Sequence, residues 1–86
     1  PLYPNPGWRV LSVRYQLAHT APVELVLYDA AGRLVRTLTE GTQPPGYYAV
    51  TWDGVDDLGR KVPAGVYFVK FETPDYQKVQ KAVLFR

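Results

Sequence analysis

Apolar and polar residues alternate in short stretches along the whole chain, and this period of two predicts β-strands with one buried face. The clearest stretch covers residues 9–17, where every second residue from Leu11 to Leu17 is apolar and the residues between them are mostly polar. Helical spacing is not sustained over eleven residues anywhere. The pattern therefore predicts an all-β protein.

Turn signals divide the chain at intervals of roughly ten residues, which is typical of a sandwich of short antiparallel strands. The predicted strands cover residues 9–17, 23–29, 33–39, 47–52, 65–73 and 76–86. Gly32 ends a hairpin turn that follows Asp29. Residues 40–46 contain two glycines and two prolines and are predicted to be a loop. We expect about seven strands in an antiparallel β-sandwich.

The aromatic strand that ends at Trp52 and the strand that begins at Gly65 frame the most distinctive stretch of the chain. Between them lie Asp53-Gly54 and a second group of aspartates ending in Gly59, residues that bend back on their own backbone or tolerate positive φ. The pattern predicts a long hairpin connection with a geometric role.

Composition indicates one small domain with an aromatic core. A chain of 86 residues buries only about 60–65% of its unfolded surface and needs large side chains to do so. Two Trp, seven Tyr and three Phe supply them, and the absence of Cys excludes disulfides and thiolate metal sites. Residues 1–8 are predicted to be a proline-rich linker end, and residues 9–86 the domain. A net charge of +2, spread along the chain, indicates a solvated surface and no nucleic-acid partner.

The residues that could carry chemistry are few and poorly arranged. Ser12 and His19 are the sole Ser and His of the chain, and no orienting acid accompanies them in the pattern that nucleophilic catalysis needs. Asp53, Asp56 and Asp57 fall in one turn, where Asx-type hydrogen bonds explain them better than a calcium loop or a glycosidase pair. We expect no catalytic residue, no metal site, no cofactor and no small-molecule substrate.

Aromatic residues leave a sugar-binding alternative open, because exposed aromatic rows bind carbohydrate in small sandwich modules. The candidates are Trp8, Tyr47, Tyr48, Trp52 and Tyr67. The alternation assigns Tyr48, Trp52 and Tyr67 to the core and leaves Tyr47 and Trp8 free.

The last predicted strand alternates apolar and basic residues up to Arg86. Lysines on an edge strand protect it from aggregation. Alternatively, another protein recognises the side chains of this strand or pairs with its backbone along the edge of the sheet.

Several short motifs in order resemble one known family. They are Tyr3-Pro4-Asn5-Pro6, the strand from Val23 to Asp29 with Gly32-Arg33, Trp52-Asp53-Gly54, Gly59-Arg60, Pro63-Ala64-Gly65-Val66-Tyr67-Phe68 and the closing strand with Lys81. This order resembles the immunoglobulin-like C-terminal domain family, which contains the type IX secretion sorting domains (Por type A) and the immunoglobulin-like domain of the flagellar hook-capping protein. The resemblance covers the whole chain and implies an immunoglobulin-like fold.

The sorting members of the family imply a function and a set of positions. Such a domain ends a secreted bacterial protein, passes through the periplasm, and is recognised by outer-membrane secretion machinery; in many members a transpeptidase-like sortase removes it and attaches the upstream cargo to the cell surface. The recognition residues implied by position are Gly65, Val66, Tyr67, Lys78, Lys81, Val83, Phe85 and Arg86. The structural motif implied is Pro4, Asn5, Pro6, Asp29, Gly32, Trp52, Asp53, Gly54, Gly59 and Pro63.

We therefore expect a non-catalytic sorting and surface-attachment domain that is secreted or held at the cell surface. The second hypothesis is a structural immunoglobulin-like spacer or hook-cap-type assembly module, to which the Trp52-Asp53-Gly54 motif is closest. The third is a carbohydrate-binding module.

Overall fold

Seven strands form two antiparallel sheets in a computed structural model that describes residues 3–4 and 11–85. The strands are β1 (Tyr3–Pro4), β2 (Leu11–Leu17), β3 (Ala21–Asp29), β4 (Leu34–Gln43), β5 (Gly46–Trp52), β6 (Gly65–Thr73) and β7 (Tyr76–Leu84). Six of them are seven to ten residues long, and β1 has two residues. The all-β sandwich is confirmed. No helix in the described part of the chain has the length and hydropathy needed to cross a membrane.

One sheet has the order β1-β2-β5 and the other the order β4-β3-β6-β7. The alternating apolar residues of β2 face the second sheet, so that Val13, Leu25 and Val69 have no exposed surface. Burial of these aliphatic side chains is the main source of stability in a domain of this size. An aromatic cluster lies at one end of the core, where the ring of Tyr15 contacts those of Tyr48 and Phe71.

Three sequence expectations about the connections were wrong in detail. Residues 53–64 are not a hairpin connection, because β5 and β6 lie in different sheets and the segment crosses from one to the other. Residues 40–43 belong to β4 and are not part of the loop; β4 is an edge strand, where glycine is tolerated more easily than in a central one. The last strand ends at Leu84 and not at the predicted residue 86.

The crossover is fixed at both ends by aromatic side chains. The indole Nε1 of Trp52 donates a hydrogen bond of 2.7 Å to the carbonyl of Val55. At the other end the hydroxyl of Tyr67 donates to the carbonyl of Pro63. Each ring thus fills the core and also satisfies a backbone acceptor of the crossover, which gives the Trp52 and Pro63 motifs a structural explanation.

Two turns with the same sequence pattern, Asp-x-x-Gly-Arg, have the same structure. In each, the aspartate Oδ1 accepts the backbone N–H groups two and four residues ahead, and Oδ2 accepts the arginine Nε; the turns cover residues 29–33 and 56–60. Gly32 and Gly59 have φ of +84° and +80°, and a Cβ at either position would meet no atom within 4 Å. Glycine is therefore needed for its backbone conformation, as expected for Gly32.

Candidate recognition surface

The outward faces of the two sheets differ in character. On the three-stranded sheet the outward residues are Ser12, Arg14 and Gln16 of β2 and Tyr47, Ala49 and Thr51 of β5, a mostly polar set. On the four-stranded sheet the outward residues of β3, β6 and β7 include Val26, Tyr28, Val66, Phe68, Val79 and Val83. An antiparallel sheet with one solvated face normally alternates apolar inside and polar outside. The four-stranded sheet departs from that rule.

The apolar residues of this face are neighbours in the strand register. Val66 lies directly opposite Val83, and Phe68 lies between Tyr28 and Lys81. In the next row Lys70 lies between Val26 and Val79. Val26 is 4% exposed and yet lies outside the cluster that fills the space between the sheets. Its neighbours on the outward face therefore cover it, and the face carries a small apolar layer of its own.

We call the set Val66, Phe68, Val79, Lys81 and Val83 the recognition face, and the exposed Phe85 follows the end of β7. Val66, Val79 and Phe85 are 40%, 55% and 54% exposed. Exposed apolar side chains that adjoin one another mark interaction sites more often than scattered ones do. Lys81 is the exposed cation in the middle of this set, and no ion pair of the described residues involves it.

The recognition residues implied by the resemblance fall in three places. Val66, Lys81 and Val83 belong to the recognition face, and Gly65 begins the strand that carries Val66. Phe85 lies one residue beyond the end of β7. Tyr67 and Lys78 point to the other side of the sheet: Tyr67 is 5% exposed in the core, and Lys78 lies opposite the buried Phe71. Arg86 lies outside the described residues.

The structural-motif residues also separate into groups. Pro4 pairs with Val13 in β1, Asp29 and Gly32 form one of the two matching turns, and Gly59 belongs to the other. Asp53 is exposed and lies 3.6 Å from Arg36, while Gly54 is buried and accepts the Val62 amide. Asn5 and Pro6 lie outside the described residues.

The opposite end of the same outward face is acidic. Glu24 lies directly opposite Glu40 on one side and Glu72 on the other, so three carboxylates stand in one row. They line a shallow depression with Pro22, Thr42 and Pro74. Lys70 lies 3.6 Å from Glu72 and offsets part of this charge. The outward face therefore has an apolar, basic end and an acidic end.

Hydrogen bonds hold the turn aspartates in their charged form. The backbone N–H of Arg33 is the largest cause that lowers the pKa of Asp29, and the N–H of Arg60 does the same for Asp56. Asp57 binds a different element, since its carboxylate accepts the Thr37 amide. Within residues 11–85 no group of three His, Cys, Asp or Glu side chains could hold a metal ion. These aspartates are therefore structural residues of the turns.

The other candidates from the sequence lie apart from one another. Ser12 is on the outward face of β2 and His19 is exposed in the turn that follows it. Tyr47 is 83% exposed on the polar face of the other sheet, whereas Trp52 is 1% exposed in the core. Trp8 lies outside the described residues. Within residues 11–85 the ring of Tyr47 contacts no other aromatic ring.

Sequence reasoning missed Phe68 and Val79, which join the residues of the recognition face into one patch. A signal for Phe68 is present, because β6 has aromatic or aliphatic residues at both alternating positions over Val66–Val69. A strand of that kind is apolar on both faces. Tyr67 and Val69 supply the core-facing side of β6, so the apolar residues on its outward side need a separate explanation.

Comparison with known proteins identifies relatives of the fold. The family model of the FlgD Ig-like domain matches residues 7–75. No curated protein matches the chain. Among solved structures, dimeric latent PorU from Porphyromonas gingivalis has a TM-score of 0.73 at 22% identity over 99% of this chain. PorZ from the same organism, described as an essential surface component of the type IX secretion system, has a TM-score of 0.65 at 24% identity over 100% of this chain. The chain spans 9% and 11% of those two proteins.

Proposed function

The chain belongs to the FlgD Ig-like domain family, and we propose that it is a non-catalytic immunoglobulin-like domain that directs a secreted bacterial protein to the cell surface through the type IX secretion system. Its partners are the outer-membrane secretion machinery and a covalently linked upstream cargo domain, with a transpeptidase-like sortase as the enzyme that attaches the cargo. The domain itself makes and breaks no bond.

The recognition face is the observation that carries this proposal. A domain that is only a spacer gains nothing from an apolar outward face, since such a face costs solubility. A domain that must be recognised while folded needs a surface of this kind. Three of the residues that the resemblance implies, Val66, Lys81 and Val83, lie on this face, which supports the proposal. The similarity in fold to PorU and PorZ, both larger proteins, also supports a function in type IX secretion.

A hook-cap-type assembly module is the second candidate, and the match to the FlgD Ig-like domain favours it. In that case the recognition face packs against a neighbouring domain or subunit of the same assembly. Both candidate functions use the recognition face, and they differ in the partner that binds there.

An export assay separates them. Residues 1–86 are fused to the C-terminus of a reporter with a standard export signal, in a host with the type IX apparatus and in the same host without its translocon. The sorting function predicts reporter at the surface or in the medium in the first host and in the periplasm in the second. A folded reporter that stays in the periplasm of both hosts would reject the sorting function and favour the assembly module.

The fusion must contain all of β7. Deleting residues 78–86 removes Ala82 and Leu84, which are 5% and 3% exposed in the core. A truncated domain would lose stability through the cavity it leaves and would not report on recognition. Surface substitutions on the recognition face avoid that ambiguity.

A further inference from the structure

Strand β7 has a long and regular open edge. It pairs with β6 over nine consecutive residue pairs without a bulge, from Gly65–Leu84 to Thr73–Tyr76. It is the last strand in its sheet, and no strand among the described residues is hydrogen-bonded to its outer side. A regular edge of this length is a template for pairing with another chain.

The other edge of the same sheet is protected. Strand β4 has two register shifts against β3, and the crossover covers part of it. The amide of Asp57 donates to the carbonyl of Val35, and the Asp57 carboxylate accepts the amide of Thr37. Bulges and coverage are the usual protection of an edge strand. Strand β7 has lysines and no bulge in its pairing with β6, and the two-residue β1 of the other sheet lies close to it without pairing to it.

The residues of β7 that face the open edge follow from its hairpin. A two-residue turn, Pro74-Asp75, joins β6 to β7, so the closing pair Thr73–Tyr76 is a hydrogen-bonded pair. Hydrogen-bonded and non-hydrogen-bonded pairs alternate from there. The backbone groups of Gln77, Val79, Lys81 and Val83 therefore point away from β6. The side chains of the last three belong to the recognition face, so the open backbone and the apolar side chains adjoin.

We propose that β7 accepts an extended strand of another protein at this edge, and that the strand carries an acidic residue between two apolar residues. The apolar side chains would pack beside Val79 and Val83, and the acidic one beside Lys81. Cross-strand pairs of this kind set register and partner choice. The inference rests on the proposed function only for the identity of the partner as a part of the secretion machinery.

A second copy of the chain fits the edge less well. A symmetric antiparallel β7–β7 pair needs a two-fold axis perpendicular to the sheet, so residues of the same parity face each other. Centring the pair on Lys81 puts two lysines directly opposite. Every other register offers Lys81 a neutral residue, because residues 76–84 contain no Asp or Glu. The charge of the strand thus favours an acidic partner over self-pairing.

The test is an NMR titration of the ¹⁵N-labelled domain with a disulfide-closed hairpin peptide, whose closure reduces the ordering cost of binding. Its free strand carries valine, glutamate and valine at alternate positions between threonines. We expect saturable shifts and slowed exchange at the amides of Gln77, Val79, Lys81 and Val83, and little change at those of Lys78 and Gln80. A peptide with lysine in place of glutamate should bind roughly fivefold more weakly. Shifts centred on β5, or no saturable binding, would overturn the proposal.

One substitution checks that the backbone edge is used. Val79→Pro removes a donor that faces the open edge and leaves the β6–β7 ladder intact, so binding should be lost while the fold is kept. Val79→Thr, the matched control, keeps the donor and should bind within about twofold. Equal binding by both variants would reject strand pairing.

The peptide titration and the export assay test different proposals, because peptide binding does not depend on export. Export without peptide binding rejects the edge proposal alone, and peptide binding without export rejects the sorting function alone.

Discussion

The indole ring of Trp52 and the phenol ring of Tyr67 meet edge to face in the core, with centroids 5.2 Å apart, although the two residues belong to different sheets. Each ring also binds a carbonyl of the crossover that joins the sheets. The pair therefore links the packing of the sandwich to the path of its longest connection.

Replacement of Trp52 should show how much this link contributes. Trp52→Ala is expected to lower the free energy of unfolding by about 3–5 kcal/mol, because the ring is 1% exposed and its loss leaves a large cavity. Trp52→Phe keeps part of the ring contact and loses the hydrogen bond to Val55, so its cost should be smaller. Urea denaturation measures both. A loss under about 1 kcal/mol for the alanine variant would mean that the indole does not hold the core together.

The matching turns depend on glycine for backbone conformation and not for space. Gly59→Ala should destabilise the domain by about 1–2 kcal/mol, since φ is +80° and an alanine there is strained. Gly59→Asn should cost less, because asparagine adopts this conformation more readily. Thermal unfolding of the two variants checks the order. Equal losses of stability in the two variants would mean that a contact of the glycine backbone, and not its positive φ, explains the need for glycine.

The turn aspartates should make the stability of the domain fall in acid. Hydrogen bonds to Arg33 and Arg60 lower the pKa of Asp29 and Asp56 below the ordinary value of 3.8. Their stabilisation is therefore complete above that value and is lost as pH falls through the lower pKa of the folded state. Denaturation between about pH 2 and pH 6 should show this decline. The decline should be shallower for Asp29→Asn and Asp56→Asn than for the unchanged domain. Curves for these two variants that run parallel to that of the unchanged domain would reject the assignment.

The acidic row should cost stability. Glu24 lies directly opposite two other glutamates, and like charges in that position repel. Glu24→Gln is expected to raise the free energy of unfolding by roughly 0.2–1 kcal/mol at low salt. The gain should shrink as salt screens the row. A gain that does not change with salt would come from packing and not from charge.

The fold was largely predictable because its strands alternate cleanly and its turns contain glycine, proline and aspartate at the expected places. The core positions of Leu11, Val13 and Tyr67 follow from that alternation alone. The sheet to which each strand belongs was not predictable. Residues 53–64 show the reason, because a hairpin connection and a crossover between sheets have the same local sequence signals. Only long-range packing, here that of Trp52 on Tyr67, decides between them.

The candidate surface was predictable in part. The resemblance implied Lys81 and Val83 on one strand, but the grouping of residues across strands depends on register. Phe68 joins the surface because β6 pairs with β7 in one particular register, and that register is not readable from either strand alone. The separation of Tyr67 from its neighbour Val66, one inside and one outside, follows directly from the period of two.

If secretion machinery recognises this domain through the recognition face, a reversed charge on that face should impair export, and a matched pair of charge reversals can show this. Lys81 and Arg14 are both exposed cations on outward faces, one on each sheet. In the export assay, Lys81→Glu should reduce the surface or medium fraction of the reporter at least roughly fivefold, because it opposes an acidic partner. Arg14→Glu should leave it within about twofold, and both domains should melt within a few degrees of the unchanged one. Equal export of the two variants would contradict recognition through this face.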